Sequence, residues 1–475
     1  MTDSLPRFAV VGHPNKGKSS IVATLAEDDR VAISPTPGTT RAANRHTFRI
    51  DGEPLYELID TPGFQRPGEL LNLLRKQAGS ASDRAAAVAA FVDAHRGEDR
   101  FHDECELLAP LVEGAGILYV VDGAKPYGPE YEVEMEILRW TGRPRMALIN
   151  RIGDGDFEEE WRQALDQYFS IVRVFDALSA DFDKRISLLR AFAELDEAWR
   201  PLLDRAVEEL MAERERRRHR SAREIASLML DALTATERES VGAGADTEGL
   251  KSRLLERLQH RIRQREGAAI EQIKAIYGHG SLDVGSDGND ASGVHGSDIF
   301  TSENWEVFGL SRHQLAMTGA VSGAAAGSGV DLALGGSSLF LGAGLGALVG
   351  GAGAWFGSGG LAKVKTVAGS LGGRIVQVGP VTAANFPWVV LGRAWLGFGL
   401  IAERNHARRD AIALAVASET HLMGAVPDDL RRDLARSFRR ISRGDTGDDV
   451  FEAMVVQIER LLAHRPVEVV AAERQ

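Results

Sequence analysis

Short apolar runs alternate with amphipathic, helix-like segments over the first 192 residues of the chain. Apolar runs begin at Phe8, Ile117, Met146 and Ile171, and the helix-like stretch EYEVEMEILRW separates the second run from the third. A more polar pair of strand-like segments, HTFRI and LYELID, lies between the first run and the second. Strands that alternate with helices predict a doubly wound parallel α/β domain, whose ligands bind at the carboxyl ends of the strands.

The pattern becomes helical and highly charged from residue 193 to residue 277. The arginine-rich residues 212–224 predict either a solvated helix face or a surface that meets anionic lipid headgroups. Leucine and isoleucine then recur at the spacing of an amphipathic or coiled-coil helix. We interpret residues 193–277 as a charged helical stalk and the Gly-, Ser- and Asp-rich residues 278–300 as a flexible linker.

Residues 301–475 are predicted to form a mainly α-helical domain with glycine-rich apolar helices. The stretch LFLGAGLGALVGGAGAWF, residues 339–356, carries no charge, and its eighteen residues reach about 27 Å as a helix, enough to cross a bilayer core. Glycines recur at four-residue spacing, which lines one helix face and lets another helix approach closely. These glycines are Gly319, Gly323, Gly327, Gly342, Gly346 and Gly350. The segment is therefore either a membrane element or a soluble, glycine-packed helical core.

A further apolar segment, FPWVVLGRAWLGFGLIA, begins at Phe386 and carries tryptophans that suit a membrane interface.

Asp331 lies between the two glycine-rich runs and fits a turn that joins them as a helical hairpin. Such a hairpin would return the chain to the side of the membrane on which it started. Positive residues flank the whole region, as expected for cytoplasmic flanks. They are Lys363, Lys365, Arg404, Arg408 and Arg409.

The composition and the N-terminal sequence indicate which cellular compartment and which classes of partner to expect. The formal net charge of −12 argues against a protein that coats nucleic acid, so we do not expect nucleic acid as a partner. The single cysteine, Cys105, cannot form an intramolecular disulfide, which favours a reducing compartment. The N-terminal sequence lacks the basic and apolar regions of a signal peptide, so we expect the N-terminal half to stay in the cytoplasm.

The first apolar run leads directly into a glycine loop, GHPNKGKSS, residues 12–20. The loop matches the phosphate-binding pattern GxxxxGK[ST] at Gly12, Gly17, Lys18 and Ser19. In such a loop, backbone N–H groups point at phosphates, the lysine reaches the β- and γ-phosphates, and the hydroxyl ligates Mg²⁺. The sequence therefore predicts a nucleoside triphosphate site.

Two further motifs follow in the order expected of a nucleotide-dependent switch. PTPGTTR, residues 35–41, lies where a first switch loop is expected, and DTPG, residues 60–63, ends a predicted strand with a carboxylate and a glycine N–H. The segment from Phe64 to Gly114 is longer than a minimal domain requires and has helical spacing. It extends the second switch, and we interpret it either as the output surface or as a passive surface insertion.

These motifs, over about residues 5–192, resemble the translation-factor-like GTPases of the TrmE/Era/EngA group. The resemblance implies a P-loop GTPase that binds GTP or GDP with Mg²⁺. It also implies nucleotide contacts from the glycine loop and from two later loops. The implied residues are Gly12, Asn15, Lys16, Gly17, Lys18, Ser19, Ser20, Asn150, Arg151, Asp154, Ser179 and Ala180.

The same resemblance implies roles in metal binding and catalysis. Ser19, Thr40 and Asp60 would hold Mg²⁺, and Lys18, Thr40 and Gly63 would act in catalysis. Asn15 matches an asparagine that often ligates a potassium ion in this group, so we expect potassium to stimulate hydrolysis.

The sequence departs from the group's pattern at the base-reading motif, normally NKxD. Here the chain reads NRIGDGD from Asn150, so that Gly153 takes the place of the aspartate and Asp154 comes one residue late. Each hydrogen bond to a charged acceptor contributes about 1.5–3 kcal/mol, so the preference for guanine would fall unless Asp154 reaches the base. GTP is favoured because LSA, residues 178–180, supplies the expected base loop, but ATP or relaxed specificity stays open. Phe64, not a glutamine, follows Gly63, as is usual in this group.

The second half resembles a bacterial family in which such a GTPase domain is followed by a conserved domain of unknown function. The resemblance rests on the glycine-rich apolar region and the neighbourhood of QVGPVTAANFPWVVL. It implies association with the cytoplasmic side of the bacterial inner membrane and a membrane protein as partner.

The sequence thus predicts a switch protein that binds and hydrolyses GTP and couples its nucleotide state to a membrane-associated C-terminal domain. Two alternatives stay open. One is a GTPase of ribosome or RNA assembly with a soluble helical C-terminal domain. The other is a membrane-remodelling or pore-forming GTPase that self-assembles as a nucleotide-dependent homo-oligomer.

Overall fold

The computed structural model describes residues 5–28, 31, 40, 42–242, 246–279, 299–300, 362–368, 374–407, 423 and 426–464. The chain forms two compact units. The first comprises Met1–Glu215 and Glu403–Arg409, and the second comprises Arg216–Ala402 and Asp410–Gln475. The division differs from the boundaries that the sequence suggests, at residues 192, 277 and 300, because one long helix contributes to both units and a short C-terminal segment belongs to the first.

A six-stranded sheet forms the centre of the first unit. Its strands are β1 Arg7–Val11, β2 Asn44–Ile50, β3 Glu53–Asp60, β4 Gly116–Asp122, β5 Arg145–Asn150 and β6 Ile171–Val174. They lie in the order β2-β3-β1-β4-β5-β6, and all neighbours are parallel except the β2–β3 pair. The predicted doubly wound α/β fold is confirmed.

Helices cover both faces of this sheet. They are α1 Lys18–Ala26, α2 Pro67–Gln77, α3 Arg84–His95, α4 His102–Val112, α5 Glu130–Trp140, α6 Glu158–Leu165 and α7 Phe182–Ala193. Because side chains alternate along a strand, Phe8 and Val10 of β1 pack in one core and Ala9 and Val11 in the other. This burial on both faces explains why the strands appear in the sequence as continuous apolar runs.

The long segment after Phe64 contains three α-helices, α2, α3 and α4. Leu74 of α2, Phe91 of α3 and Leu107 of α4 are buried in the same core as Tyr119 of the sheet. The segment therefore forms part of the hydrophobic core of the first unit, and its removal would uncover that face of the sheet.

The second unit combines helices with a small sheet. Its elements are the later part of α8 Arg200–Thr234, β7 Glu237–Val241, α9 Thr247–Ile276, β8 Ala362–Ala368, β9 Arg374–Val381, α10 Phe386–Ala402, α11 Asp428–Ser442 and α12 Asp448–Leu462. The strands are antiparallel, in the order β7-β9-β8. The region is mainly α-helical, as predicted, and the sheet is an addition that the sequence patterns did not predict.

One hydrophobic core joins elements of the second unit that the sequence suggests are separate. Leu254 and Ile262 of α9, in the predicted stalk, share this core with Trp388 of α10 and Ile458 of α12. The leucine and isoleucine periodicity of α9 therefore reflects packing within a domain, because its apolar stripe is buried against these neighbours.

Helix α10 is the apolar segment that begins at Phe386. Nearly all of its side chains are buried, and Arg393 donates from Nε to Oε1 of the buried Glu266 at 2.6 Å. Among the described residues, no helix combines the length and apolarity that crossing a bilayer requires. The glycine-rich residues 317–361 and most of the predicted switch loop, residues 35–39 and 41, lie outside the described residues.

Candidate functional site

The glycine loop connects the carboxyl end of β1 to the N-terminus of α1, where backbone N–H groups and the helix dipole favour an anion. Gly17, the residue before α1, has a φ of +79°, and a Cβ there would lie 2.2 Å from Nδ2 of Asn150. The loop conformation therefore requires glycine at this position. Asn15 is exposed in the same loop with a φ of +61°, and its potassium-binding role stays a prediction.

Lys18 is buried at the start of α1. Its Nζ donates hydrogen bonds to the carbonyl oxygens of Gly12 at 3.2 Å and His13 at 3.0 Å. Desolvation lowers the pKa of Lys18 to about 8, although the nearby Asp60 carboxylate opposes this shift. The ammonium group is thus positioned by the loop, and a bound phosphate would favour its charged form.

The three residues predicted to hold Mg²⁺ lie together. Ser19 Oγ donates to Oδ2 of Asp60 at 2.7 Å, and Thr40 Oγ1 donates to the same oxygen at 3.2 Å. The other carboxylate oxygen, Oδ1, is buried without a hydrogen-bond partner among the described residues, and burial raises the pKa of Asp60. Two hydroxyls and a carboxylate with a spare oxygen form a donor set of the kind that Mg²⁺ uses beside substrate phosphates. These residues therefore fit the predicted metal.

The DTPG turn packs directly against the glycine loop. A Cβ on Gly63 would lie 2.6 Å from both N and Cδ of Pro14, so only glycine permits this approach. Thr61 strengthens the contact between turn and strand, because its Oγ1 donates to the carbonyl of Val10 at 2.8 Å. The side chain of Phe64 is buried in the core, which fixes the chain immediately after Gly63.

Asn150 connects the glycine loop to the predicted base loop. Its Nδ2 donates to the carbonyl of Lys16 at 3.1 Å, and its Oδ1 accepts from the backbone N–H of Ala177 at 3.2 Å. This double role requires an amide, because one end must donate and the other must accept.

The residues after Asn150 project into solvent. Arg151, Gly153 and Asp154 are exposed, and the Arg151 guanidinium lies 3.4 Å from the Asp156 carboxylate. The structure therefore brings Asn150 into the site but places the two candidate base readers, Arg151 and Asp154, at its exposed rim.

The base loop comprises the predicted residues 178–180 and Ala177 before them, and hydrogen bonds hold both its middle and its end. The Asp176 carboxylate accepts from Leu178 N at 2.9 Å and from Ser179 Oγ at 2.5 Å. Ala180 is buried, and its carbonyl accepts from Nδ2 of Asn405 at 3.1 Å. The side chains of Leu178 and Ser179 are nevertheless exposed.

The side chain of Lys16, a predicted nucleotide contact, interacts with other groups of the protein. Its Nζ lies 3.8 Å from Oδ2 of the buried Asp122 and 5.5 Å from the centre of the Tyr131 ring. Burial lowers the pKa of Lys16, with the Asp122 carboxylate opposing this shift. Contact of Lys16 with a nucleotide would therefore involve its main chain. Ser20 lies in the first turn of α1 and is partly buried.

Three buried residues of this region were not identified from the sequence. Glu134 of α5 lies 2.9 Å from Nδ1 of His13 in the glycine loop and accepts from the hydroxyl of Tyr119 at 2.9 Å. Asp122 faces Lys16, and its position at the end of an apolar strand was a usable signal. Asn405 gave no signal, because it lies more than two hundred residues beyond the loop that it contacts.

Comparison with known proteins places two family models on the chain. A model described as a 50S ribosome-binding GTPase matches residues 7–151, and a model of a domain of unknown function, DUF3482, matches residues 162–463. A protein named GTPase Der from Agathobacter rectalis is 40% identical over 99 residues, 20% of this chain and 22% of that protein. Another GTPase Der, from Desulforudis audaxviator, is 41% identical over 117 residues, 23% of this chain and 25% of that protein.

The chain thus spans no more than about a quarter of the length of these relatives. Among solved structures, Era of Aquifex aeolicus bound to GDP and tetrafluoroaluminate matches at 18% identity with a TM-score of 0.30. That match covers 57% of this chain and 90% of the Era chain.

Proposed function

Because the chain belongs to the family defined by the DUF3482 domain and carries a P-loop GTPase domain before it, we propose that it is a switch that binds and hydrolyses GTP. The resemblance to the Era and Der type of GTPase domain is confirmed by the family match and by the Der relatives. The activity of the whole protein, its substrate and its partners are the proposal.

The observation that carries this proposal is the arrangement of Lys18, Ser19, Thr40 and Asp60 around the glycine loop. Lys18 places a buried cation at the loop, and the two hydroxyls and the carboxylate converge on one point. Mg²⁺, when bound, would neutralise charge on the phosphates. Phosphoryl transfer depends mainly on positioning and on electrostatic stabilisation, which this arrangement supplies.

The switch would act through the two segments that flank the phosphates. Thr40 belongs to the first segment and Gly63 to the second, and both lie at the site. A γ-phosphate that recruits Thr40 and the Gly63 N–H would order both segments, and its loss on hydrolysis would release them. The α2–α4 segment begins directly after Phe64 and is therefore the part of the first unit most directly connected to this change.

Lys18 provides the direct test of nucleotide binding. Lys18→Ala should abolish tight binding of GDP and GTP in a calorimetric titration, whereas Lys76→Ala, an exposed lysine on α2, should leave it unchanged. Unchanged affinity in the Lys18 variant would refute the site.

For the C-terminal domain, the proposal is attachment to the cytoplasmic side of the bacterial inner membrane. The glycine-rich apolar sequence of residues 317–361 supports this proposal. The strand β8 follows that sequence directly and carries exposed basic and apolar side chains, which support the proposal as well. Lys363 and Lys365 alternate there with the exposed Val364. Basic residues near an anionic membrane contribute about 1 kcal/mol each.

The alternative partner is the ribosome, and the family description of residues 7–151 favours it. Liposome flotation of the full chain with a GTP analogue, GDP or no nucleotide distinguishes binding to a membrane from binding to the ribosome. Flotation that is lost on deletion of residues 317–361 would support the membrane proposal, with Lys363→Glu/Lys365→Glu as a milder variant. Failure to float, with nuclease-sensitive co-sedimentation with ribosomes, would favour the ribosome. Lipid-dependent oligomers formed only with the GTP analogue would instead favour self-assembly.

A further inference from the structure

A short C-terminal segment, Glu403–Ala407, is part of the first unit although it lies far along the chain from the nucleotide loops. It follows directly after α10. Asn405, His406 and Ala407 are each at least nine-tenths buried, and Ala407 packs in the core that also holds Ala177 and Ala180 of the base loop. The segment is therefore an integral part of the domain that carries the glycine loop.

Asn405 joins two functional elements through its amide group. Its Nδ2 donates to the carbonyl of Ala180 at 3.1 Å, and its Oδ1 accepts from Thr24 Oγ1 of α1 at 2.6 Å. The same Oδ1 accepts from the backbone N–H of Ala407 at 2.9 Å, which fixes the orientation of the amide. Helix α1 starts in the glycine loop, so Asn405 connects the phosphate side of the site to the base side.

Thr24 completes this connection. Its hydroxyl is fully buried, and its single hydrogen is shared between Oδ1 of Asn405 and the carbonyls of Ala177, 2.9 Å away, and Ser20, 2.8 Å away. Together with the Asn150 amide on the Ala177 N–H, these groups hold the start and the end of the base loop, while Leu178 and Ser179 between them stay exposed.

We propose that Asn405 is a positioning residue for the nucleobase, so that the C-terminal half of the chain supplies part of the guanine site. The family matches are consistent with this division. The GTPase model ends at residue 151, whereas the DUF3482 model, residues 162–463, includes both the base loop and Asn405. The proposal rests on the proposed nucleotide binding and deepens it.

The test uses the full-length chain and separates the base from the phosphates. Affinity for GDP is measured by calorimetry, and affinity for inorganic tripolyphosphate, which has no base, is measured by competition. Asn405→Ala should weaken GDP binding about 5- to 30-fold, because two hydrogen bonds to the loop and to α1 are lost. Tripolyphosphate binding should stay within about twofold, and the KM for GTP should rise while kcat changes little.

Further variants keep the test decisive if Asn405→Ala folds poorly. Thr24→Val keeps the shape of the side chain but removes the hydroxyl and should also weaken GDP binding selectively, whereas Thr24→Ser should restore it. Asn405→Asp keeps the acceptor for Thr24 but loses the donor to Ala180, so it should be defective as well. Asn72→Ala, an exposed asparagine on α2, is the matched control and should bind both ligands normally.

Unchanged GDP affinity in the Asn405 and Thr24 variants would overturn the proposal, and so would an equal loss for GDP and tripolyphosphate, which indicates general damage to the domain. If the wild-type chain bound neither GDP nor GTP, the proposed function itself would fail, and the two failures are therefore distinguishable.

Discussion

The buried carboxylate of Glu104 on α4 accepts a hydrogen bond from the backbone N–H of Gln65, two residues after Gly63, at 3.0 Å. It also accepts from the N–H of Arg66 at 2.5 Å. Two residues further along α4, Glu106 accepts from the N–H of Ala43, just after Thr40, at 2.9 Å. One helix therefore holds the chain that follows each of the two predicted switch segments.

We expect Glu104→Gln to slow GTP hydrolysis without weakening GDP binding. Both N–H groups donate to the same oxygen, Oε1, and an amide oxygen is a weaker acceptor than a carboxylate oxygen, so the chain after Gly63 should become less ordered. The rate should fall about 3- to 10-fold, on the basis of a loss of about 1 kcal/mol. Single-turnover hydrolysis and calorimetric titration with GDP measure the two effects.

Asp93→Asn provides the matched control, because Asp93 is exposed on α3 of the same segment. It should leave both hydrolysis and binding at the wild-type level. An unchanged hydrolysis rate in Glu104→Gln would show that α4 does not constrain the second switch segment.

Cys105, beside Glu104, should report opening of this helix. It is 5% exposed, and burial raises the pKa of its thiol to about 11. At pH 8 only about one thiol in a thousand would be ionised, compared with about one in four for an ordinary cysteine, and only the thiolate reacts quickly. We expect reaction with a disulfide reagent at pH 8 to be at least 100-fold slower in the native protein than in urea. Equal rates in the two conditions would mean that α4 is open in the native state.

The fold of the first unit and its glycine loop could be predicted because they depend on local sequence. A strand followed by a glycine loop brings Gly17, Lys18 and Ser19 together within one turn, whatever the rest of the chain does. The resemblance then placed Asp60 and Thr40 beside Ser19, and the structure brings these three residues together.

Contacts between distant parts of the chain could not be predicted in this way. Asn405 and Glu104 act through the positions of backbone groups, and no local spacing reveals which N–H or carbonyl a distant side chain meets. The periodicity of α9 correctly indicated an amphipathic helix. Periodicity alone, however, does not distinguish a stalk from a helix buried within a domain, which is where Leu254 and Ile262 lie.

The segment after Asn150, which matches the base-reading motif of the resembling GTPases only in part, offers a gain-of-function prediction at Gly153. A Cβ at this position would meet only the Cβ of Ala124, at an ordinary 3.6 Å, so the backbone accommodates a Cβ there without rearrangement. Gly153→Asp would restore a carboxylate at the position where the resembling GTPases read guanine. The preference for GDP over ADP should rise about 10- to 100-fold, since each hydrogen bond to a charged acceptor contributes about 1.5–3 kcal/mol.

Gly153→Ala controls for the loss of glycine and should not alter the preference between the two bases. If Asp154 already reads guanine, Asp154→Asn should weaken GDP binding and Gly153→Asp should add little. Affinities for GDP and ADP in the three variants therefore decide which residue, if either, supplies the carboxylate.

The buried pair of Arg393 and Glu266 provides a prediction about the second unit. Both side chains are less than 10% exposed, and they connect α10 to α9 within the core. Removal of one partner leaves an uncompensated buried charge, so Arg393→Met should lower the free energy of unfolding by about 3–5 kcal/mol. Arg393→Met combined with Glu266→Leu should recover most of this loss, because apolar residues of similar volume can replace a buried ion pair.

Urea unfolding followed by tryptophan fluorescence measures the free energy of unfolding of these variants, since Trp388 and Trp395 lie on α10 itself. Arg436→Ala, which breaks an exposed pair with Asp433, should change stability by less than about 1 kcal/mol. If Arg393→Met were as stable as the control, α10 would not be packed against α9 in solution, and its apolar surface would again be available for a membrane or a partner.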